Sequence, residues 1–131
     1  MSHFTTVQVE IHDLECLKQA AEELGGVWMT PTTKRASVSV RGWGSETRKA
    51  VNGIRCKGRF DIAVDPPKNE GEPYLLAADL YDGSVERQMG KNFGKLSQRY
   101  GVLKVTKMMR ARGKRVVRKE LTGGRIELEV S

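Results

Sequence analysis

A run of basic residues in the last third of the chain has the most distinctive chemistry in this sequence. Twelve of the 23 lysines and arginines lie between Val85 and Lys119, and Glu86 is the only acid among them. This window has a formal charge of +11 and the rest of the chain −4, within a net charge of +7. Clustered cations attract polyanions, because they neutralise phosphates and release condensed counterions. The pattern therefore favours binding over catalysis.

Within this run we predict contacts to a polyanion such as RNA, or to the acidic surface of a protein partner. The competing interpretation is a solvated helix face that keeps the protein soluble. Tyr100 lies in the run and could stack on a base, but it also falls on an apolar stripe and is more simply a core residue. The candidate contacts are Lys91, Lys95, Arg99, Lys104, Lys107, Arg110, Arg112, Lys114 and Arg115.

Residues that could bind a metal or attack a substrate are few. If Asp61 and Asp79 are cross-strand neighbours, they could hold a hard cation. The simpler interpretation is that the aspartates face solvent or cap turns. The histidines and cysteines form no C-x-x-C or H-x-x-x-H pair, so no zinc site is predicted. We therefore predict no catalytic residue, metal site or cofactor. The residues considered are Asp61, Asp65, Asp79, Asp82, His3, His12, Cys16 and Cys56.

Two other kinds of residue are given structural interpretations. Trp28 and Trp43 are interpreted as core or edge-strand aromatics rather than ligand platforms. Cys16 is predicted to be a buried thiol. The glycines around Trp43 do not form a phosphate loop, since they lack the strand, glycine-rich turn and helix that such a loop requires.

Size and composition define the class of protein. The 131 residues fit one domain, and 38% hydrophobic with 30% charged residues is typical of a globular chain. No apolar run reaches the roughly 18 residues of a membrane span. Residues 1–4 do not begin a secretory signal, so we predict a cytoplasmic protein that does not bind membranes.

Hydrophobic periodicity predicts a β-α-β-β order for residues 1–43. Alternation over Thr5–Ile11 is typical of a half-buried strand. Asp13 is the expected cap of a helix that ends at Gly25-Gly26, where glycine accepts the left-handed conformation. The next strands are expected at Val27–Met29 and Ala36–Val40.

In the middle of the chain, Gly44–Gly58 fits either one helical turn around Glu46–Val51 or a loop. The alternating run Phe60–Asp65 and the apolar run Tyr74–Tyr81 then predict a central hairpin over residues 59–81, with a proline-containing loop between its strands.

A basic helix and a C-terminal hairpin are predicted for residues 84–130. Ser84 is the expected helix cap, and a change of apolar register beyond Gly101 predicts either a bend there or a helix whose second half is buried differently. Gly113 is expected to end the helix, and Gly123-Gly124 to form the tight turn of the hairpin. The stripe expected to face the core is Met89, Phe93, Leu96, Tyr100 and Leu103.

Together these elements predict a single α+β domain over residues 1–131, with a mainly antiparallel sheet and two principal helices on one face. The order helix, glycine, strand, turn, strand occurs at Leu14–Val40 and again at Val102–Val130. This order suggests a duplicated α-β-β unit, although such units are common in α+β folds.

Several short segments also occur in a familiar order. They are Met1–Thr6, Ile11–Leu17, Arg59–Ile62, Tyr74–Asp79, Gln98–Tyr100, Val116–Glu120 and Ile126–Leu128. In this order they resemble the conserved plastid reading frame thirty-five family, also called domain of unknown function twelve-fifty-seven. Members of that family tend to have tryptophans after the central aspartate, where this chain has Leu80 and Tyr81, and alanine at the position of Gly101.

The resemblance implies little chemistry, because the family has no established activity. It occurs in cyanobacteria, plastids, other bacteria and cyanobacterial viruses, which implies the interior of a cell, a plastid or an infected host. Its genes often lie near an AAA-type ATPase. We therefore predict a non-enzymatic domain with a basic face for a polyanion such as RNA. The alternative is an adaptor or accessory subunit of an AAA-type ATPase, and an enzyme of unknown reaction is a third hypothesis.

Overall fold

A computed structural model describes residues 4–7, 9–33, 36–44 and 46–131 of the chain. His3, considered above as a ligand, lies outside these residues. The described residues form three α-helices and nine strands. The helices are α1 (Leu14–Glu23), α2 (Ser84–Met89) and α3 (Gly94–Ala111). The strands are β1 (Phe4–Val7), β2 (Val27–Met29), β3 (Val38–Arg41), β4 (Thr47–Ala50), β5 (Asn52–Arg55), β6 (Ile62–Asp65), β7 (Leu75–Asp79), β8 (Val116–Glu120) and β9 (Ile126–Val130).

The main sheet has five antiparallel strands in the order β1-β7-β6-β5-β2. The predicted central hairpin is confirmed, since β6 and β7 pair with Ile62 opposite Ala78. The helices cover one face of this sheet, where Leu17 of α1 and Leu96 of α3 are fully buried in the same cluster as the strand residues. The predicted α+β class and the helices on one face are therefore confirmed.

A separate hairpin of β3 and β4 covers the opposite face of the sheet. Val40 and Ala50 of this hairpin pack with Ala63 and Ala77 of the sheet. Gly53 of β5 allows the close approach, because a Cβ there would lie 3.3 Å from a Val40 methyl. The domain thus has three layers, namely helices, sheet and hairpin.

The N-terminal third follows the predicted order with shifted boundaries. The first strand ends at Val7 instead of running over Thr5–Ile11, and β3 starts two residues later than expected. The Asp13 cap is confirmed, since its carboxylate accepts the Cys16 N–H at 3.2 Å. Gly25 adopts φ +83 directly after α1, as expected for a helix end.

The segment Gly44–Gly58 contains strands β4 and β5, so the prediction of a helical turn or a loop was wrong. Its alternation is hidden because the partly buried Arg48 occupies a position that an apolar residue would normally fill. The Arg48 guanidinium lies 2.6 Å from the Asp65 carboxylate and 5.9 Å from the centre of the Phe4 ring. Val51 is apolar but half exposed, which obscures the pattern further.

The basic helix breaks at Gly90, which has φ +86 and separates α2 from α3. α3 is one continuous helix through Gly101, and its second half is less buried than its first, which fits the second of the two alternatives for the change of register. Ser84 is not a helix cap, because Gly83 holds that position and Ser84 is the first helical residue. The predicted core stripe is confirmed, with four members buried and the fifth packed against them: Met89, Phe93, Leu96, Tyr100 and Leu103.

The C-terminal hairpin of β8 and β9 is confirmed, with Gly123 and Gly124 at φ +78 and +79 in its turn. It forms its own two-stranded sheet and packs against α3. The strand pairing does not reproduce a duplicated unit, because β8 pairs with β9 while β2 pairs with β5 and β3 with β4. Among the described residues, no helix has the length and apolar character needed to cross a bilayer.

Candidate functional site

The middle of α3 carries predicted cations that already have acidic partners. Lys104 and Lys107 both contact the Asp13 carboxylate, at 3.3 and 2.7 Å. The Lys107 ammonium holds the pKa of Asp13 well below its ordinary value. This acid also caps α1, so the two lysines tie α3 to the start of α1.

Arg99, another candidate, belongs to a four-residue network with Arg118 of β8. Arg99 lies 3.4 Å from Glu23 and 2.6 Å from Glu120, while Arg118 lies 2.7 Å from Glu23 and 3.1 Å from Glu120. Arg118 lowers the pKa of Glu23, and Arg99 lowers the pKa of Glu120. Both glutamates are therefore charged near neutral pH, and the formal charges of the four residues that line this cleft of about 650 Å³ sum to zero.

The C-terminal end of α3 and the turn to β8 have a different character. Four candidates, Arg110, Arg112, Lys114 and Arg115, are exposed, and among the described residues none has a carboxylate within 4.0 Å. Two apolar side chains on the same half of α3 are also exposed, at 40% for Val105 and 43% for Met108. We call these four cations the basic tip.

The remaining candidates, Lys91 and Lys95, lie at the opposite end of α3. Both are exposed, and the Lys95 ammonium lies 3.5 Å from the Arg87 carbonyl. The 18 residues of α3 span about 27 Å. The nine candidates thus lie on α3 and on the turns at its two ends, and the cations in the middle of the helix are neutralised by acids.

Sequence reasoning missed these neutralising acids for a clear reason. Asp13 is 91 residues from Lys104, and Glu23 is 95 residues from Arg118. Only the antiparallel packing of α1 on α3 brings them together. Tyr100 confirms this packing, since its buried hydroxyl accepts the N–H groups of His12 and Asp13 at 3.0 Å.

Asp61 and Asp79 lie in the interior, so the solvent-face alternative was wrong for both, whereas the turn-capping alternative fits Asp79, whose carboxylate accepts the N–H of Tyr81 two residues further on. Continuing the register of β6 and β7 places them opposite each other, at one end of the sheet. Asp61 is fully buried and accepts both Arg41 Nε at 2.9 Å and Arg41 Nη2 at 2.7 Å, as well as the Cys56 N–H. Asp61 raises the pKa of the Arg41 guanidinium. A guanidinium thus occupies the place that a cation would need.

Asp79 orders two aromatic residues at the surface. Its buried carboxylate accepts the Trp43 N–H at 2.9 Å and the Tyr81 N–H at 3.0 Å. The two rings meet edge to face, with their centres 4.4 Å apart, and remain 42% and 70% exposed. The interpretation of Trp43 as a core or edge-strand residue was therefore wrong, whereas Trp28 is half-buried on the edge strand β2. We call Trp43 and Tyr81 the aromatic pair.

No hydrogen bond joins a cysteine thiol to the His12 imidazole in the described ranges. Cys16 and Cys56 are buried free thiols, and burial raises the pKa of Cys56 to about 12 and also raises that of Cys16. His12 contacts only Glu10 among the carboxylates, at 3.3 Å. No group of three potential metal-ligating side chains occurs in the part of the chain that the structure describes.

Comparison with known proteins gives no match to a protein-family model, to a curated protein or to a solved structure. The resemblance to the plastid reading-frame family therefore stays a prediction, and the functional argument rests on the geometry of this chain.

Proposed function

We propose that this protein is a non-enzymatic binding domain for a polyanion, with RNA as the foremost candidate, and that the basic tip is its main contact. One observation carries the proposal. The fold neutralises the cations in the middle of α3 but leaves Arg110, Arg112, Lys114 and Arg115 exposed, with no acidic partner within the part of the chain that the structure describes.

Unpaired cations are the ones available to a phosphate backbone. A cation that already contacts a carboxylate must lose that contact before it binds a phosphate, whereas an exposed one gives up only water and counterions. Three members of the basic tip are arginines, whose planar guanidinium can donate two parallel hydrogen bonds to a phosphate. The four cations of the basic tip therefore contribute more to binding than the other five candidates do.

The test is a fluorescence anisotropy titration with a labelled single-stranded RNA between about 50 and 200 mM salt. If the four tip cations each neutralise one phosphate, log K should fall against log salt with a slope of about −3. Replacing all four with glutamine should flatten this slope and abolish most of the affinity.

A matched control separates local contact from net charge. Lys49, Arg55, Lys68 and Arg125 are also exposed and have no acidic partner within 4.0 Å among the described residues. Replacing these four with glutamine changes the net charge equally and should leave most of the affinity intact. Equal losses in the two variants, or no binding by the wild type at low salt, would contradict the proposal.

An adaptor role is the second candidate, and the exposed Val105 and Met108 favour it, because apolar side chains beside cations suit a protein surface. The AAA-type ATPase implied by the family resemblance would be such a partner. A pulldown that recovers an ATPase after nuclease treatment, and loses it in the glutamine variant of the tip, would support this role over RNA binding.

A further inference from the structure

We propose that the aromatic pair is a stacking platform for an unpaired base of single-stranded nucleic acid, with Arg59 and Arg87 beside it to contact the backbone. This inference deepens the proposed function and rests on it for the identity of the ligand. It concerns a surface formed by the loops that follow β3 and β7, not the C-terminal end of α3 where the basic tip lies.

The first argument is exposure combined with order. Tyr81 is the most exposed of the large hydrophobic side chains in the described part of the chain, at 70%. An exposed ring normally moves freely, but here the backbone on both sides of the pair is fixed. The buried Asp79 carboxylate binds the N–H of Trp43 and the N–H of Tyr81, residues that come from separate loops. A platform ordered in advance loses less conformational entropy when a ligand stacks on it.

The second argument is the charge around the platform. Asp82, the neighbour of Tyr81, draws two arginines to this side: Arg59 Nη2 lies 3.5 Å from its carboxylate, and Arg87 Nη1 donates to its carbonyl at 3.3 Å. Arg87 also lines a cleft of about 460 Å³ together with Lys57. Arg59 is three-quarters exposed, so its guanidinium remains accessible despite this long contact.

These features select among the ligands that aromatic rings bind. Exposed rings beside exposed arginines such as Arg59 and Arg87 are the combination that proteins use for single strands, where bases stack and cations follow the phosphates. A duplex offers no free base face along its length, so a stacking platform also predicts preference for single strands.

The test uses tryptophan fluorescence, since the chain has two tryptophans. In a Trp28→Phe background, Trp43 is the only tryptophan, and titration with a short oligoadenylate should quench its fluorescence. In the same background, Tyr81→Ala should weaken binding of a longer single strand about tenfold, whereas Tyr81→Phe should bind as the parent does. Binding of a duplex with the same number of phosphates should be unchanged in all of these variants.

Matched controls make the outcomes separable. Val51→Ala removes an exposed apolar side chain elsewhere and should have no effect on either ligand. If Tyr81→Ala binds single strands normally, or loses duplex binding equally, the platform is refuted while the basic tip stands. If the glutamine variant of the basic tip binds normally and Tyr81→Ala does not, the basic tip is refuted while the platform stands. Quenching by a proline-rich peptide but not by the oligoadenylate would overturn the platform in favour of a protein ligand.

Discussion

The two ends of this domain are held in place by different interactions. Near the aromatic pair, fully buried carboxylates bind backbone N–H groups and one guanidinium, and fix the loops through short hydrogen bonds. Along α3 and the C-terminal hairpin, exposed carboxylates and cations form surface ion pairs. Buried hydrogen-bonded carboxylates define geometry and are screened little by salt, whereas surface pairs contribute little stability and are screened. The loops near the aromatic pair are therefore held in a defined geometry, whereas the surface along α3 and the C-terminal hairpin mainly presents charged groups.

The largest effect should come from the buried pair. Asp61→Ala removes the partner of Arg41 and leaves the Cys56 N–H without an acceptor, so we expect a loss of about 3 kcal/mol in the free energy of unfolding. Asp65→Ala breaks the more exposed pair with Arg48 and should cost less than about 1 kcal/mol. Denaturant unfolding of both variants measures the contrast, and equal losses would remove the proposed distinction between buried and surface ion pairs.

The junction between the ends gives the next largest effect. Gly90→Ala places a Cβ at φ +86 and 2.5 Å from the Lys95 backbone nitrogen, which should cost about 1–3 kcal/mol. Gly101→Ala, in the unbroken interior of α3 with open space around it, should instead stabilise the protein by up to about 1 kcal/mol. Thermal and denaturant unfolding should therefore change in opposite directions for two identical substitutions.

A smaller effect is expected at the start of α1. Asp13→Ala removes a helix cap and should cost about 1 kcal/mol, while Asp13→Asn keeps a capping side chain and loses only the contacts with Lys104 and Lys107. The pKa of Asp13 is depressed in the folded state, so its ionic contribution is complete above the ordinary value of 3.8 and is lost in stronger acid. Wild type and Asp13→Asn should therefore converge in stability as the pH falls below this value.

The smallest effect belongs to the ion-pair network. Glu23→Gln weakens contacts with Arg99 and Arg118 and should cost less than about 1 kcal/mol near neutral pH. Because the pKa of Glu23 is lowered on folding, this cost should fade below its ordinary value of 4.5, and it should also shrink in high salt. A cost that persists at both low pH and high salt would show that the network resembles the buried pair instead.

Local patterns predicted the elements whose apolar period is intact. The stripe around Phe93 and Leu96, the Asp13 cap and the central hairpin all depend on residues close in sequence. Strands β4 and β5 escaped prediction because Arg48 takes a partly buried position, and its partner Asp65 lies 17 residues away. The same limit applies to the candidate site.

The division of the basic residues could not be predicted from local sequence patterns, since the acids that neutralise Arg99 and Lys104 are distant in sequence: Glu23 and Glu120 contact Arg99, and Asp13 contacts Lys104. The aromatic pair is a similar case. Trp43 and Tyr81 are brought together because Asp79 accepts hydrogen bonds from two loops, and the hydrophobic periodicity of the sequence does not indicate that contact.

The unbroken length of α3 has a consequence for how affinity depends on the length of a nucleic-acid strand. A helix of about 27 Å separates the exposed Lys95 in its first turn from the exposed Arg110 in its last turn. At about 3.4 Å per nucleotide, a stacked strand needs roughly eight nucleotides to reach the cations at both ends. Affinity should therefore rise steeply near that length, because the second contact becomes intramolecular once the first has formed.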